Sequence, residues 1–186
     1  NLNGYVCKVK EADIKNKEKW EVIIPTNKDE KIVVIDSIEG YLFVEKRVKG
    51  LIQIFAFDVN TWERQEINFP EPVYHAYFIG NPEFDVTTVR YSYSSLNRPS
   101  TLFEYDVKTK KTVKLKEQEI PSGFNAEDYV VERLWAKAED GVKVPMAVVY
   151  KKGLKKDGSA PCYLYSYGSY GYSSDVHFSI ASFNLI

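Results

Sequence analysis

The 186-residue chain is 44% hydrophobic and 15% aromatic, which supplies a packed core and excludes an intrinsically disordered segment. Its 25 Lys and Arg stand against 26 Asp and Glu, a net charge of −1, and no block of five like charges occurs, so neither a nucleic-acid nor a membrane-surface partner is expected. No stretch of eighteen apolar residues is present, and Asn1-Leu2-Asn3-Gly4 has no signal-peptide character.

From Tyr5 to Leu115 the chain consists of short runs rich in Val, Ile, Phe and Tyr, separated by turn residues, with hardly any helical period. Strands are predicted over 5–9, 20–24, 31–36, 41–47, 51–58, 63–69, 74–78, 87–94, 101–106 and 112–115. Part of this region repeats. Phe55-Ala56-Phe57-Asp58-Val59-Asn60-Thr61 resembles Phe103-Glu104-Tyr105-Asp106-Val107-Lys108-Thr109, and the two Asp residues lie 48 positions apart. Each copy is an aromatic strand ending in Asp-Val-x-Thr, a turn in which Asp and Thr can bond to the local backbone. Four strands per repeat at a period in the forties points to β-propeller blades. One whole blade is read at 31–69, a second at 74–115, and two outer strands of an earlier blade at 5–24, about two and a half four-stranded blades in all. A β-sandwich is the alternative. The Lys-rich piece Lys108 to Lys116 alternates with Thr, Val and Leu and reads as a solvated strand face.

The character changes after Lys116. Residues 117–128, with Pro121-Ser122-Gly123, form a linker without apolar period. Asp140-Gly141 between the alternating runs 130–138 and 142–150 predicts a hairpin closed by a type I′ turn. Cys162 to Tyr167 reads as a short buried strand opening into a loop of Gly, Ser and Tyr, and 176–186 carries apolar residues at the spacing of an amphipathic helix. Cys7 and Cys162 are too few for a disulfide framework and are expected to be buried reduced thiols, which favours a cytoplasmic location. The lack of an initiator Met and the apolar end at Asn184-Leu185-Ile186 suggest a fragment of something longer.

A hairpin, a buried strand, a glycine-rich turn and a helix is the order in which an α/β-hydrolase sheet begins. The residues Glu132-Arg133-Leu134-Trp135, Asp140-Gly141-Val142-Lys143-Val144-Pro145, Ala160-Pro161 and Tyr165-Ser166-Tyr167-Gly168-Ser169-Tyr170-Gly171 resemble the prolyl oligopeptidase family at the junction of propeller and catalytic domain. Within it they are most similar to the oligopeptidase B (protease II) branch, as are Asn81-Pro82-Glu83-Phe84-Asp85, Arg90 to Leu96 and Pro99-Ser100-Thr101. The resemblance covers essentially the whole chain. It implies the C-terminal part of a β-propeller over 1–118, a linker over 119–131 and the N-terminal part of an α/β-hydrolase peptidase domain over 132–186.

That resemblance further implies a serine peptidase acting on short peptides, in this branch after Lys or Arg. The family's Gly-Gly-Ser-x-Gly-Gly elbow is not in this sequence, so the catalytic Ser, Asp and His are expected beyond these residues and the piece alone is expected to be inactive. One catalytic part carries over by position: Tyr167 matches the family's Tyr whose hydroxyl serves the oxyanion hole, and Tyr170 matches an aromatic lining the substrate cleft. Ser166 stands where the family usually has Gly. A local triad of Ser166 or Ser169 with Asp175 and His177 lacks a Gly-x-Ser-x-Gly elbow; Ser174 or Asp175 fits a helix N-cap better. His75 reads as structural. No phosphate loop, dinucleotide fingerprint or metal-ligand spacing appears, and no cofactor is expected. The reading from a different class is a non-catalytic propeller module that binds a partner through its aromatic loop.

Overall fold

The computed structural model describes residues 2–186. It is built from antiparallel strands: β1 (Val6–Lys8), β2 (Glu21–Ile24), β3 (Glu30–Ile38), β4 (Tyr41–Val48), β5 (Leu51–Asp58), β6 (Arg64–Ile67), β7 (His75–Phe78), β8 (Thr88–Ser95), β9 (Arg98–Asp106), β10 (Lys111–Glu117), β11 (Tyr129–Lys137) and β12 (Lys143–Lys151). They form two four-stranded meanders, β3-β4-β5-β6 and β7-β8-β9-β10, and two hairpins, β1-β2 and β11-β12. Each of the ten strands read from residues 5–115 is present, shifted at its ends by a few residues. Among the described residues no helix is long and apolar enough to cross a membrane.

The inner strands β4 and β5 are buried on both faces over their central residues, which is why Leu42-Phe43-Val44 and Ile54-Phe55-Ala56-Phe57 read as continuous apolar runs rather than as strict alternation. On β4, Phe43 and Val44 point to opposite sides and both are fully buried. Phe43 joins Ile38, Ile54 and Ala56 in a core shared with Ala76, Val89 and Tyr91 of the second meander. Val44 joins Phe55 and Phe57 against Val6 and Ile24 of the β1-β2 hairpin. The seam between the meanders is also polar at one point, where the Phe78 amide donates to the buried Glu45 carboxylate at 2.5 Å. Burial raises the pKa of Glu45 above the usual carboxylate value, against the lowering effect of that amide. The last strand, β10, is exposed along its whole length, and its alternating Lys residues keep a free sheet edge charged.

The sequence repeat is a structural repeat. Asp58 Oδ1 accepts from the amides of Asn60 (2.8 Å) and Thr61 (3.0 Å), and Asp106 Oδ1 accepts from those of Lys108 (3.0 Å) and Thr109 (2.6 Å). In each copy the residue four positions after Asp donates back to the Asp carbonyl at 2.8 Å and takes positive φ, Trp62 in one and Lys110 in the other. The Thr61 and Thr109 amides lead the effects that hold these two carboxyls below the ordinary 3.8. A depressed carboxylate contributes stability that is present above its unfolded pKa and is lost as pH falls through the folded value. The Asp58→Ala/Asp106→Ala double variant is therefore expected to unfold at lower urea than the parent at neutral pH, with the gap narrowing once the pH drops below 3.8. Urea midpoints measured across pH 2 to 7 test this, and a gap independent of pH would refute it.

One turn differs from expectation, and another carries the predicted geometry instead. The Asp140-Gly141 hairpin closes not by a type I′ turn but by a three-residue loop, in which the Gly141 amide donates to the Ala138 carbonyl and the Ala138 amide to that of Val142, both at 2.9 Å. Only Gly141 of the turn takes positive φ, +87°, the pattern of a type I turn followed by a left-handed residue. The paired positive φ angles of a type I′ turn occur instead at Lys49 (49°) and Gly50 (89°), between β4 and β5. Gly50 is doubly constrained there, since a Cβ would lie 3.2 Å from Pro145 Cγ of β12.

Residues after β12 depart further from the expectation. Cys162 to Tyr167 forms no strand, and Tyr163, Leu164 and Tyr165 are exposed. A strand exists only through a ladder, and among the described residues none pairs with this segment. Cys162 is accordingly exposed rather than buried, and Cys7 half-buried; both are free thiols. In place of an amphipathic helix over 176–186 there is a 3-10 helix at Ile180–Leu185, whose N-cap Ser179 makes no side-chain cap bond.

Candidate functional site

The β4-β5 turn, the start of β7 and the β8-β9 turn carry the chain segments that follow the meanders. Arg133 of β11 donates to the Lys49 carbonyl. Asn97 donates to the Ala126 carbonyl at 3.2 Å. Arg98 pairs with Glu71 at 2.6 Å and Glu127 at 2.8 Å, and Glu71 also accepts from the Tyr93 hydroxyl. Phe124, Tyr129, Phe178 and Phe183 pack as an aromatic cluster with centroids 4.6–5.5 Å apart, drawing the C-terminal segment onto the linker and β11. Arg98 is thus held by two carboxylates contributed by different segments, and the bond to Glu71 is the main cause that raises its pKa.

The Tyr-rich loop hangs from this junction. Tyr167 is 47% and Tyr170 98% exposed, so both aromatics singled out from the sequence are on the surface, and they belong to one tight excursion. The Tyr172 amide donates to the Ser169 carbonyl at 3.0 Å, and the Tyr172 ring meets Tyr167 edge-on at 5.7 Å. Ser174 Oγ donates to the Tyr167 carbonyl at 3.3 Å, which closes the two ends of the loop on each other. Tyr170 sits at φ +57° and Gly171 at +68°, consecutive left-handed residues that turn the chain sharply and throw the Tyr170 side chain outward.

Asp175 caps no helix, since the 3-10 helix begins five residues later at Ile180. Its carboxylate receives both terminal nitrogens of Arg47, Nη1 at 2.6 Å and Nη2 at 2.9 Å, in the fork-to-fork geometry that makes such pairs strong. Ser174, the other candidate cap, is spent on Tyr167. His75, at the start of β7, lies with Nε2 3.7 Å from the same carboxylate. Burial leads in lowering the His75 pKa, with Arg47 and His177 adding to it and Asp175 opposing. Both oxygens of Asp175 are closer to Arg47 than to His75. This partnership was invisible in sequence, because the two residues are 128 positions apart and each looks ordinary in its own segment. No group of three His, Cys, Asp or Glu among the described residues could hold a metal ion. A cavity of about 970 Å³ lies beside the linker, bounded by Glu71, Arg98, Phe103 and Phe124, away from the Tyr loop.

The sequence model of a family described as "Prolyl oligopeptidase, N-terminal beta-propeller domain" matches residues 1–118. The chain belongs to the prolyl oligopeptidase family. Curated prolyl oligopeptidase relatives include a dipeptidyl aminopeptidase BI from Pseudoxanthomonas mexicana, 33% identical over 94% of this chain and 24% of that protein, and a protease 2 from Moraxella lacunata, 32% identical over 84% of this chain and 22% of that one. Among solved structures, the closed form of oligopeptidase B from Trypanosoma brucei superposes with a TM-score of 0.84 at 27% identity, covering 96% of this chain and 26% of its own. Oligopeptidase B from Leishmania major gives 0.77 at 33% identity, over 87% and 24%. The chain therefore spans about a quarter of the length of the prolyl oligopeptidase relatives it matches. Its two meanders are sheets of a β-propeller of this family.

Proposed function

We propose that this chain is the propeller-to-peptidase junction of a longer serine oligopeptidase that hydrolyses short peptides after Lys or Arg. In this reading residues 1–118 are the C-terminal part of the propeller, with β1-β2 the outer half of an earlier blade, 119–131 the linker, and 132–186 the N-terminal part of an α/β-hydrolase domain. The observation that carries it is the continuity of the likeness: similarity to the dipeptidyl aminopeptidase and to the trypanosomal oligopeptidase spans 94 and 96% of the chain, and that to the protease 2 spans 84%, so none of the three stops at residue 118. The basic-residue preference rests on the resemblance of 81–101 and 165–171 to oligopeptidase B. The exposed apolar run Tyr163 to Tyr165 suits a strand that gains its ladder from further sheet. A cytoplasmic location is supported by two free thiols and no disulfide.

The chemistry assigned to these residues is limited. When the carbonyl of the scissile peptide is attacked, its oxygen becomes an oxyanion, and a rigid neutral donor aimed at that position lowers the barrier. The Tyr167 hydroxyl is that donor, and the Tyr170 ring is a wall of the cleft. The nucleophile, base and acid are assigned to residues outside 1–186, since Asp175 is bound to Arg47 and no Gly-x-Ser-x-Gly occurs in the chain.

The test is hydrolysis of a Lys or Arg peptide ester by the full-length gene product and by residues 1–186 in parallel, with a Pro ester as the specificity control. Turnover of the basic esters by the full-length product alone is the expected result. Turnover by residues 1–186 would overturn the placement of the triad, and a full-length product that prefers the Pro ester would overturn the basic preference.

A further inference from the structure

The loop that carries Tyr167 is anchored at one end by a residue at the turn end of β4 in the first meander. Arg47 lies near the end of β4, beside the β4-β5 turn, where its Nη1 also donates to the Gly50 carbonyl at 3.1 Å. Its guanidinium and the Asp175 carboxylate are both largely withdrawn from water, with side chains 20% and 22% exposed. Asp175 follows Ser174, whose hydroxyl holds the Tyr167 carbonyl. Three residues on, the Phe178 amide donates to Ser94 Oγ of β8 at 2.9 Å, and the Phe178 side chain is buried among Phe124 and Phe183. The segment 174–178 is thus pinned to β4 and β8, and the loop 167–174 is closed on that pinned segment. Within the loop, residues 168–173 are exposed and are held to one another by the Ser169–Tyr172 turn bond and the edge-on contact of Tyr172 with Tyr167.

We propose that the Arg47–Asp175 pair is a clasp between the propeller sheet and the Tyr loop, with both residues acting as positioning residues that hold Tyr167 in place for the oxyanion. This rests on the proposed function only in the role given to Tyr167; the clasp itself is a statement about the chain. Arg is the residue suited to it, because a planar fork fixes the carboxylate in direction as well as distance, and a displacement of about 1 Å at a catalytic group can cost on the order of 10²-fold in rate.

Two measurements test it. In residues 1–186, hydrogen exchange of the Phe178 amide reports the pinned segment without any need for activity. Arg47→Met and Asp175→Asn are each expected to speed its exchange by about tenfold or more, and the double variant by no more than the worse single, because one interaction can be lost only once. In the full-length product, Asp175→Asn is expected to lower kcat about tenfold with little change in KM, and to have almost no further effect in a Tyr167→Phe background. Arg47→Lys, which keeps the charge but not the fork, gives an intermediate loss and guards against a variant that simply misfolds. Unchanged exchange in the single variants, or exchange effects that add in the double, would overturn the clasp. An equal kcat loss with and without the Tyr167 hydroxyl would overturn its action through that residue. If the unmodified full-length product turns over no ester, the proposed function fails while the exchange result still decides the clasp.

Discussion

Tyr167→Phe in the full-length product is expected to lower kcat by roughly 10²- to 10³-fold, the usual loss for one oxyanion donor, with KM nearly unchanged. The substitution removes a single oxygen. The ring that meets Tyr172 edge-on at 5.7 Å remains, and so does the Tyr167 carbonyl that receives Ser174, so the loop keeps its closure. In the proposed role the donor acts on an oxygen whose charge develops only in the transition state, so the loss is expected to fall on kcat rather than on ground-state binding. Steady-state kinetics with a Lys or Arg ester measure it. A kcat within threefold of the parent would remove Tyr167 from the oxyanion site. Tyr170→Ala offers the contrasting pattern, since loss of a cleft wall raises KM more than it lowers kcat.

The propeller was legible because its signals are local. Alternating or continuous β-branched and aromatic runs bounded by turn residues located β1 to β10, and the Asp-Val-x-Thr repeat identified equivalent corners because each Asp bonds amides two and three residues ahead. The region after β12 was not legible in the same way. Cys162 to Tyr167 has the composition of a buried strand, but composition states only what a segment can do once paired; in this chain it is unpaired and exposed. The turn at Asp140-Gly141 was placed correctly and typed wrongly, because Asp-Gly also serves the three-residue loop, in which Gly takes the left-handed position after a type I turn. Lys49-Gly50, which does carry the two positive φ angles, lacked the Asn or Asp that would have advertised it.

Within the candidate site, sequence reading found the Tyr loop and missed what holds it. Arg47 stood only as the last residue of the predicted strand 41–47, and Asp175 as a candidate helix cap. Only the packing of the 174–178 segment across the ends of β4 and β8 brings them together. Pairing two residues 128 positions apart required the tertiary structure.

Phe43→Ala is the largest stability effect expected in the chain, a loss of about 3–5 kcal/mol. Phe43 has no exposed surface and packs edge-on against Phe78 at 5.3 Å, so its ring is what the first meander presents to the second. Truncation leaves a hole bounded by two sheets. Their backbones are tied by ladder bonds and by the Glu45 bond to the Phe78 amide, so the walls can collapse only partly, and the cavity cost adds to the lost transfer energy. Against a typical domain stability of about 5–15 kcal/mol this is a large share. The comparison is Val113→Ala on β10, where the side chain is 57% exposed and the change is expected to stay within about 0.5 kcal/mol. Urea unfolding followed by tyrosine fluorescence separates the two cases. If the meanders fold as one unit, Phe43→Ala lowers the midpoint of a single transition. If instead each meander is stable by itself, the transition splits, and the second part keeps the parent midpoint because β7 to β10 no longer depend on the ring from β4. A Phe43→Ala loss below about 1 kcal/mol would mean that the inter-sheet core has room to repack, contrary to the close packing expected of a buried aromatic between two sheets.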